Sequence, residues 1–386
     1  GDIDSQAIQI LRRLKEAGFQ AFLVGGGVRD LLLSHKPKDF DIATNALPNE
    51  VKRKVPYSFI IGRRFKLVHA KRGEHLYQIA TFRRAATTEE LETTDSDERH
   101  LVEENFFGNI EEDSFRRDFT INSLFYDPID QVIIDHCNGI DDIHSKTLRM
   151  IGDPQARLIE DPVRILRAIR LSQKLNFSIE TELRTQIVNL KQELKRTVLP
   201  RRREEWLKFF RLKNAEHALL ELYDLSVFEI LLPTFHKVFA NEHQREEFLA
   251  CVRGFDYYGI NVSDATELVC AILASYLHAT QPKGFNIEDF IENEEFFLFC
   301  RDELGVFRAE LGVFFQAMQF IAPLKRSDSY IKKGERRQRS LVFHQTFLLS
   351  LKLGLLTHQF SPHEFLFWIN ERERFSNTIR PPGQSE

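Results

Sequence analysis

The sequence predicts an α+β chain, with a mixed sheet and helices at its N-terminal end and an all-helical remainder. Three observations lead there. A glycine-rich turn, Gly25-Gly26-Gly27, follows a short apolar run and precedes Asp39-Phe40-Asp41. Further short apolar runs, bounded by turn residues, continue to about residue 140. From about Asp142 onward the apolar residues fall at helical spacing and keep doing so.

The elements follow in order. Between Ser5 and Ala17, Ile8, Leu11 and Leu14 keep a helical period, and Gly18 stops it. Gln20–Val24 reads as a buried strand leading into the glycine turn, Val28–Leu33 as a short helix, and Asp39–Thr44 as the second strand. Pro48 suits the first turn of a helix over Asn49–Lys54. Tyr57–Ile61 and Lys66–Ala70 read as strands, and Arg72-Gly73 turns the chain into another, Leu76–Phe82. A mixed sheet with helices on one side is the economical arrangement. Thr87–His100 is polar and acidic and reads as a mobile loop. Further on, Pro162–Lys174 distributes Val163, Ile165, Leu166, Ile169 and Leu171 around a helix, and Glu295–Phe299 and Gly312–Phe320 are helix-compatible.

With 386 residues there is room for more than one core. No apolar run approaches the length that spans a bilayer, so no membrane span is expected. No signal-peptide pattern precedes the first helix, although the chain begins at Gly1 rather than Met. Cys137, Cys251, Cys270 and Cys300 lie far apart with no CxxC pairing, which argues against zinc or a disulfide framework and suits a reducing cytoplasm. The formal net charge is −4, awkward for a nucleic-acid binder, whose affinity comes largely from phosphate neutralisation. The charge is segregated, however. Basic residues gather at Arg63-Arg64-Phe65-Lys66, Arg116-Arg117, Arg164 to Arg170, Arg201-Arg202-Arg203, and Lys332-Lys333 through Arg339; acids gather over Glu89–Glu104 and Asn286–Glu295.

Two carboxylates two residues apart on a strand face the same side. Asp39 and Asp41 can therefore hold divalent cations against a triphosphate, and hard oxygen ligands suit Mg²⁺, which fills its shell with waters and phosphates. Gly25 and Gly26 let backbone N–H groups approach phosphate oxygens at the start of the next helix. A lone Asp-x-Asp is usually a solvated turn; joined to this glycine turn and to Arg29-Asp30, it points to nucleotidyl chemistry. Downstream, Glu160-Asp161-Pro162-Val163-Arg164 can be read as a helix cap with surface ion pairs. It can also be read as a base-reading pair, with Asp161 accepting from a base amino group and Arg164 donating to ring acceptors.

Gly-Gly-x-Val-Arg-Asp followed by Asp-x-Asp resembles the head of the class II tRNA nucleotidyltransferase (CCA-adding enzyme) and bacterial poly(A) polymerase family, whose fold is similar to the DNA polymerase β nucleotidyltransferase core. The resemblance is strong from about Gly18 to Arg170. It implies a catalytic head over 1–140, a helical neck for base recognition over 141–212, and an RNA-binding helical body and tail over 213–386. Asp39 and Asp41 would hold two Mg²⁺ ions. Arg116-Arg117-Asp118 through Asn122 resembles the second family motif, which would put Arg117 on phosphate, Asn122 near the sugar and Asp118, as a third catalytic acid, close to the metal-binding pair. Arg29 would belong to the nucleotide site with the glycines. Asp161 and Arg164 match the EDxxR motif that selects nucleotides without a nucleic-acid template, with Arg167 and Arg170 helping to bind them. Leu199–Lys208 matches the next family helix only loosely.

Ile60–Ala70 resembles the stretch characteristic of poly(A) polymerases rather than of their CCA-adding relatives. The implied activity is addition of AMP from ATP to RNA 3′ ends by a monomeric cytoplasmic enzyme, with a CCA-adding enzyme acting on tRNA as the alternative. One departure stands out: the family usually has Glu where this chain has Gln78. Gln carries no charge and cannot act as a base. Asp118 or Glu74 would have to compensate, or the chain is a diverged member that hydrolyses NTP or only binds nucleotide or RNA.

Overall fold

The computed structural model describes residues 3–62, 66–92 and 106–377. The chain divides into two compact units, residues 1–193 and 194–386.

In the first unit, helix α1 (Ser5–Glu16) starts at an Asp4 cap whose carboxylate accepts from the Gln6 N–H, and it buries Ala7, Ile10, Leu11 and Leu14. The chain continues through β1 (Ala21–Val24), α2 (Gly26–Leu32), β2 (Asp41–Thr44), α3 (Pro48–Lys54), β3 (Ser58–Ile61), β4 (Leu67–Arg72) and β5 (His75–Thr81). Strands β6 (Phe125–Asp127) and β7 (Val132–Ile134) complete a seven-stranded sheet of order β3-β4-β5-β2-β1-β6-β7. Only β2 and β5 run parallel; the other neighbours are antiparallel. All four residues of β1 are buried, as suits a central strand.

Alternation along the strands separates two faces. Tyr77 donates its hydroxyl to Asp4, the cap of α1, which fixes that helix over the face of Tyr77 and Ile79. Phe22, Val24, Ala43, Phe82 and Phe125 form a cluster on the other face, and Ile110 of the helix Ile110–Phe115 packs on it. Helices thus lie on both sides of the sheet rather than on one, because both faces of the central strands are apolar and both must be covered. The expected loop over Thr87–His100 begins as a short helix, Thr88–Glu92, and the rest of it lies outside the described residues. Past β7 come helices Gly139–His144, Pro154–Glu160, Val163–Leu175 and Thr181–Leu190.

The second unit is helical, as expected. Its longest buried helix, Ala265–Thr280, has ten buried residues, among them Leu268 to Ser275 without interruption. Aromatic rings fill the space around it, with Phe235 touching Phe210, Phe228, Phe248 and Phe299. Arg203 and Glu310 form a buried ion pair, and Arg203 also donates to the Gly305 carbonyl. All four cysteines are free thiols. Among the described residues no helix is long and apolar enough to cross a membrane.

Candidate nucleotidyl-transfer site

Asp41 is the first residue of β2 and pairs in register with Val24, the last residue of β1, so the acid stands where the glycine turn begins. Asp39 belongs not to the strand but to the segment leading into it. Its position is set by contact. A Cβ on Gly27 would lie 3.0 Å from the Asp39 carbonyl oxygen, so only glycine lets α2 and this segment touch. Desolvation at the strand end pushes the Asp41 carboxyl above its ordinary value; Arg117 opposes that shift and Asp39 adds to it. Two carboxylates side by side at a strand end suit a divalent cation. Among the described residues no cluster of three or more acid, His or Cys side chains is available to cage one. A hard cation here would therefore complete its shell with water and phosphate, as Mg²⁺ does.

Gly25 has φ of +73°, a left-handed conformation that glycine adopts without strain, and it caps α2. Arg117 stands beside this turn: a Cβ on Gly25 would lie 3.7 Å from its Nη1, in ordinary contact. Asp113, buried and absent from the sequence expectations, orients that arginine: its Oδ2 accepts from Arg117 Nε (3.1 Å) and Nη2 (2.8 Å), and its Oδ1 accepts from Arg116 and the Arg83 N–H. Burial pushes the Asp113 carboxyl up, but Arg117, Arg116 and the Arg83 N–H outweigh it and hold it below the usual carboxylate range. Arg117 also lies 5.4 Å from the Phe125 ring centroid. Its Nη1 corner is thus left toward the glycine turn.

Arg29 is buried and committed. It donates to Asn122 Oδ1 (2.6 Å) and twice to Asp30 (3.0 and 2.7 Å). Gly26 packs against that guanidinium, 3.3 Å from where its Cβ would be. Asn122, so held, reaches Asp118 with its amide (3.5 Å). Asp118 accepts from the Phe119 N–H (2.8 Å) and from Nε (2.9 Å) and Nη2 of Arg167. Burial raises its pKa, and the Arg167 ion pair and the Phe119 N–H more than reverse this. Asp118 is thus an anchored carboxylate, spent on the protein's own donors.

Asp161 closes the helix Pro154–Glu160 instead of capping the next one, which Pro162 begins. Arg164 reaches back to Glu160 at i−4 and to the Arg157 carbonyl (2.8 Å), while its own N–H donates to the Asp161 carbonyl. Glu160 is therefore the acidic partner of the Arg164 side chain, and the i, i+4 spacing was the signal for it. Arg170 lies on the same helix, and with Arg29 and Lys38 it faces Lys174, whose pKa is lowered first by burial and then by those cations. Gln78 sits beside Asp41: β2 and β5 pair in parallel with Ile42 opposite Ile79, so the residues before them are neighbours on one face. His69 of β4 is directly opposite Gln78 on its other side. Glu74 lies in the turn between β4 and β5, at the far end of β5 from Thr81.

These features, a glycine turn, paired acids at a strand end and a mixed sheet, define a nucleotidyltransferase head. Residues 21–149 match the poly(A) polymerase head domain, and residues 176–239 match a domain described as the probable RNA- and SrmB-binding site of polymerase A. Together these cover half of the chain, and the chain belongs to the family that holds bacterial poly(A) polymerases and CCA-adding enzymes. It is 42% identical over 241 residues to poly(A) polymerase I of Salmonella typhimurium, covering 62% of this chain and 52% of that one. It is 39% identical over 207 residues to the CCA-adding enzyme of Lactobacillus helveticus, covering 54% and 50%. The chain thus spans about half the length of the curated relatives it matches. The fold is similar to that of a tRNA nucleotidyltransferase complexed with a primer tRNA and an incoming ATP analog (TM-score 0.61, 23% identity, covering 96% and 99%). It is similar also to the Bacillus stearothermophilus CCA-adding enzyme in complex with CTP (TM-score 0.60, 22% identity, covering 96% and 82%).

Proposed function

We propose that this chain is a template-independent RNA nucleotidyltransferase that adds AMP from ATP to RNA 3′ ends. The observation that carries the proposal is the meeting of Asp39, Asp41 and the Arg117 guanidinium around the glycine turn. In the reaction the acceptor 3′ oxygen bonds to the α-phosphorus, the bond from that phosphorus to the bridging oxygen breaks, and pyrophosphate leaves. Two Mg²⁺ ions held by Asp39 and Asp41 would supply a lowered pKa for the attacking hydroxyl and charge neutralisation for the leaving group.

The chain's own residues do the rest. Gly25 and Gly26 bring backbone N–H groups to the triphosphate, and Arg117, fixed by Asp113, stabilises its developing charge. Arg29 keeps Asn122 in place for the sugar. Asp161 and Arg164 read the base, Glu160 holding the arginine's angle, and Arg167 and Arg170 line the nucleotide's path on the same helix. We assign catalysis to 1–140, base recognition to 141–212 and RNA binding to 213–386. The free cysteines suit a cytoplasmic setting.

A CCA-adding activity on tRNA is the second reading, favoured by the likeness to the Lactobacillus enzyme. Incubation with each labelled NTP, with and without a short RNA or a tRNA lacking its CCA end, separates the readings. Long A tails support the first, a stop after CCA the second, and free nucleotide without extension overturns both. Asp41→Ala and Asp39→Ala should each lower extension on the order of a thousandfold or more while the protein stays folded.

A further inference from the structure

Arg157 lies in the last turn of the helix Pro154–Glu160, and its guanidinium reaches two parts of the first unit at once. Nη2 donates to the backbone carbonyls of Arg116 (2.9 Å) and Arg117 (2.7 Å), and Nη1 donates to Glu160 (3.3 Å). The side chain is only 17% exposed. Arg116 is the C-cap of the helix Ile110–Phe115, so its carbonyl has no partner within that helix, and one guanidinium nitrogen serves it and the next carbonyl together.

The backbone of Arg157 makes the other half of the link. Its carbonyl accepts from Nη1 of Arg164 (2.8 Å), and Glu160, the acid on the Arg157 guanidinium, accepts from that same nitrogen. Arg164 thus rests on the carbonyl of Arg157 and on its ion-pair partner. Arg117 is held from two sides, with Asp113 on its guanidinium and Arg157 on its carbonyl. One residue therefore joins the arginine set toward the triphosphate to the arginine set toward the base.

We propose that Arg157 is a positioning residue that couples base recognition to nucleotidyl transfer. The proposal rests on the roles given above to Arg117 and Arg164. When a base seats on Arg164, the load passes through Glu160 and the Arg157 carbonyl to the guanidinium, and so to the backbone that carries Arg117. A base that leaves Arg164 out of place leaves Arg117 out of place as well, and a displacement of about 1 Å is enough to slow transfer about a hundredfold. Discrimination is then expressed in turnover more than in binding, as when the correct substrate assembles the site. A plain helix tie carries the opposite expectation: lost stability, with the choice of nucleotide unchanged in the molecules that stay folded.

The test uses the whole chain and a tRNA lacking only its terminal A, a 3′ end that either reading of the activity extends with ATP and not with UTP. Arg157→Ala keeps the carbonyl and Glu160, so Arg164 stays seated. The ratio of Kd for UTP and ATP should therefore stay within about twofold of wild type, while the single-turnover rate with ATP falls on the order of ten- to a hundredfold and the ATP-to-UTP rate ratio falls about tenfold. Arg157→Lys, with a point charge in place of the planar fork, should recover part of the rate. Adding Arg157→Ala to Arg164→Ala should lower the rate ratio no further, because the two residues act on one path. Circular dichroism fixes a temperature at which each variant is folded. A wild-type rate ratio in folded Arg157→Ala and Arg157→Lys, or a loss that adds in full to that of Arg164→Ala, would overturn the proposal and leave the reading of the activity standing. A wild type that extends this tRNA with neither nucleotide would overturn that reading, and the coupling with it.

Discussion

Asp118 and Arg167 form an ion pair across 49 residues of chain, joining the segment before β6 to the helix Val163–Leu175. Both the Nε and Nη2 of Arg167 donate to one carboxylate oxygen, and the Phe119 N–H takes the other. A carboxylate so engaged is held ionised and has little left for a hydroxyl proton. Asp118 therefore serves better as a strut that fixes the helix Val163–Leu175 than as a substitute for the carboxylate missing at Gln78.

Asp118→Asn should then destabilise the protein by about 1–2 kcal/mol, because Asp118 is nearly buried while Arg167 is 41% exposed and partly screened. Thermal unfolding should record a fall of a few degrees. The sign with pH follows from the depressed pKa. The ion pair's contribution is full above the ordinary aspartate value of about 3.9 and is lost as pH falls through the lower folded value. The gap between wild type and variant should thus be constant near neutrality and close only in acid. A gap that widened toward acid would contradict the pairing.

Gly27→Ala tests the contact that places Asp39. The new methyl would press on a backbone carbonyl at 3.0 Å, which cannot rotate away as a side chain tip would. A stability cost of about 1–3 kcal/mol is expected. Turnover should fall by on the order of a hundredfold, since a displacement of about 1 Å carries that cost. Turnover kept at wild-type level in the folded variant would mean that Asp39 does not depend on this approach.

Arg164→Ala should bring ATP and CTP incorporation closer together, eroding about 1–3 kcal/mol of discrimination. Glu160→Gln should act in the same direction but less, because it loosens the arginine without removing it. Competition assays with the two labelled nucleotides read both. An incorporation ratio that neither variant moves would reduce the pair to a helix-end brace.

Gln78→Glu puts a charge beside Asp41 on the neighbouring strand. RNA extension should rise, by up to roughly a hundredfold if the new carboxylate accepts the hydroxyl proton. Extension rates on one oligonucleotide decide it. If the wild type is already fast and the variant no faster, the attacking hydroxyl needs no carboxylate at this position.

Sequence alone determined the α+β head, the helical remainder, the glycine turn and the candidate acids, because period, turn chemistry and residue spacing are local properties. It also determined that charge is segregated. The mixed sheet was legible; the helices on its second face were not, since Ile110 gives no sign of which surface it will cover. Only the tertiary structure decided which charges are spent and which are left over. Arg29 and Arg167 look alike in the sequence to Arg336, yet the first is buried on Asn122 and Asp30, the second is paired with Asp118, and the third faces solvent beside Phe343. An ion pair forms wherever folding brings opposite charges together and removes water from them, and sequence distance says nothing about that when the partners, like Asp118 and Arg167, stand 49 positions apart.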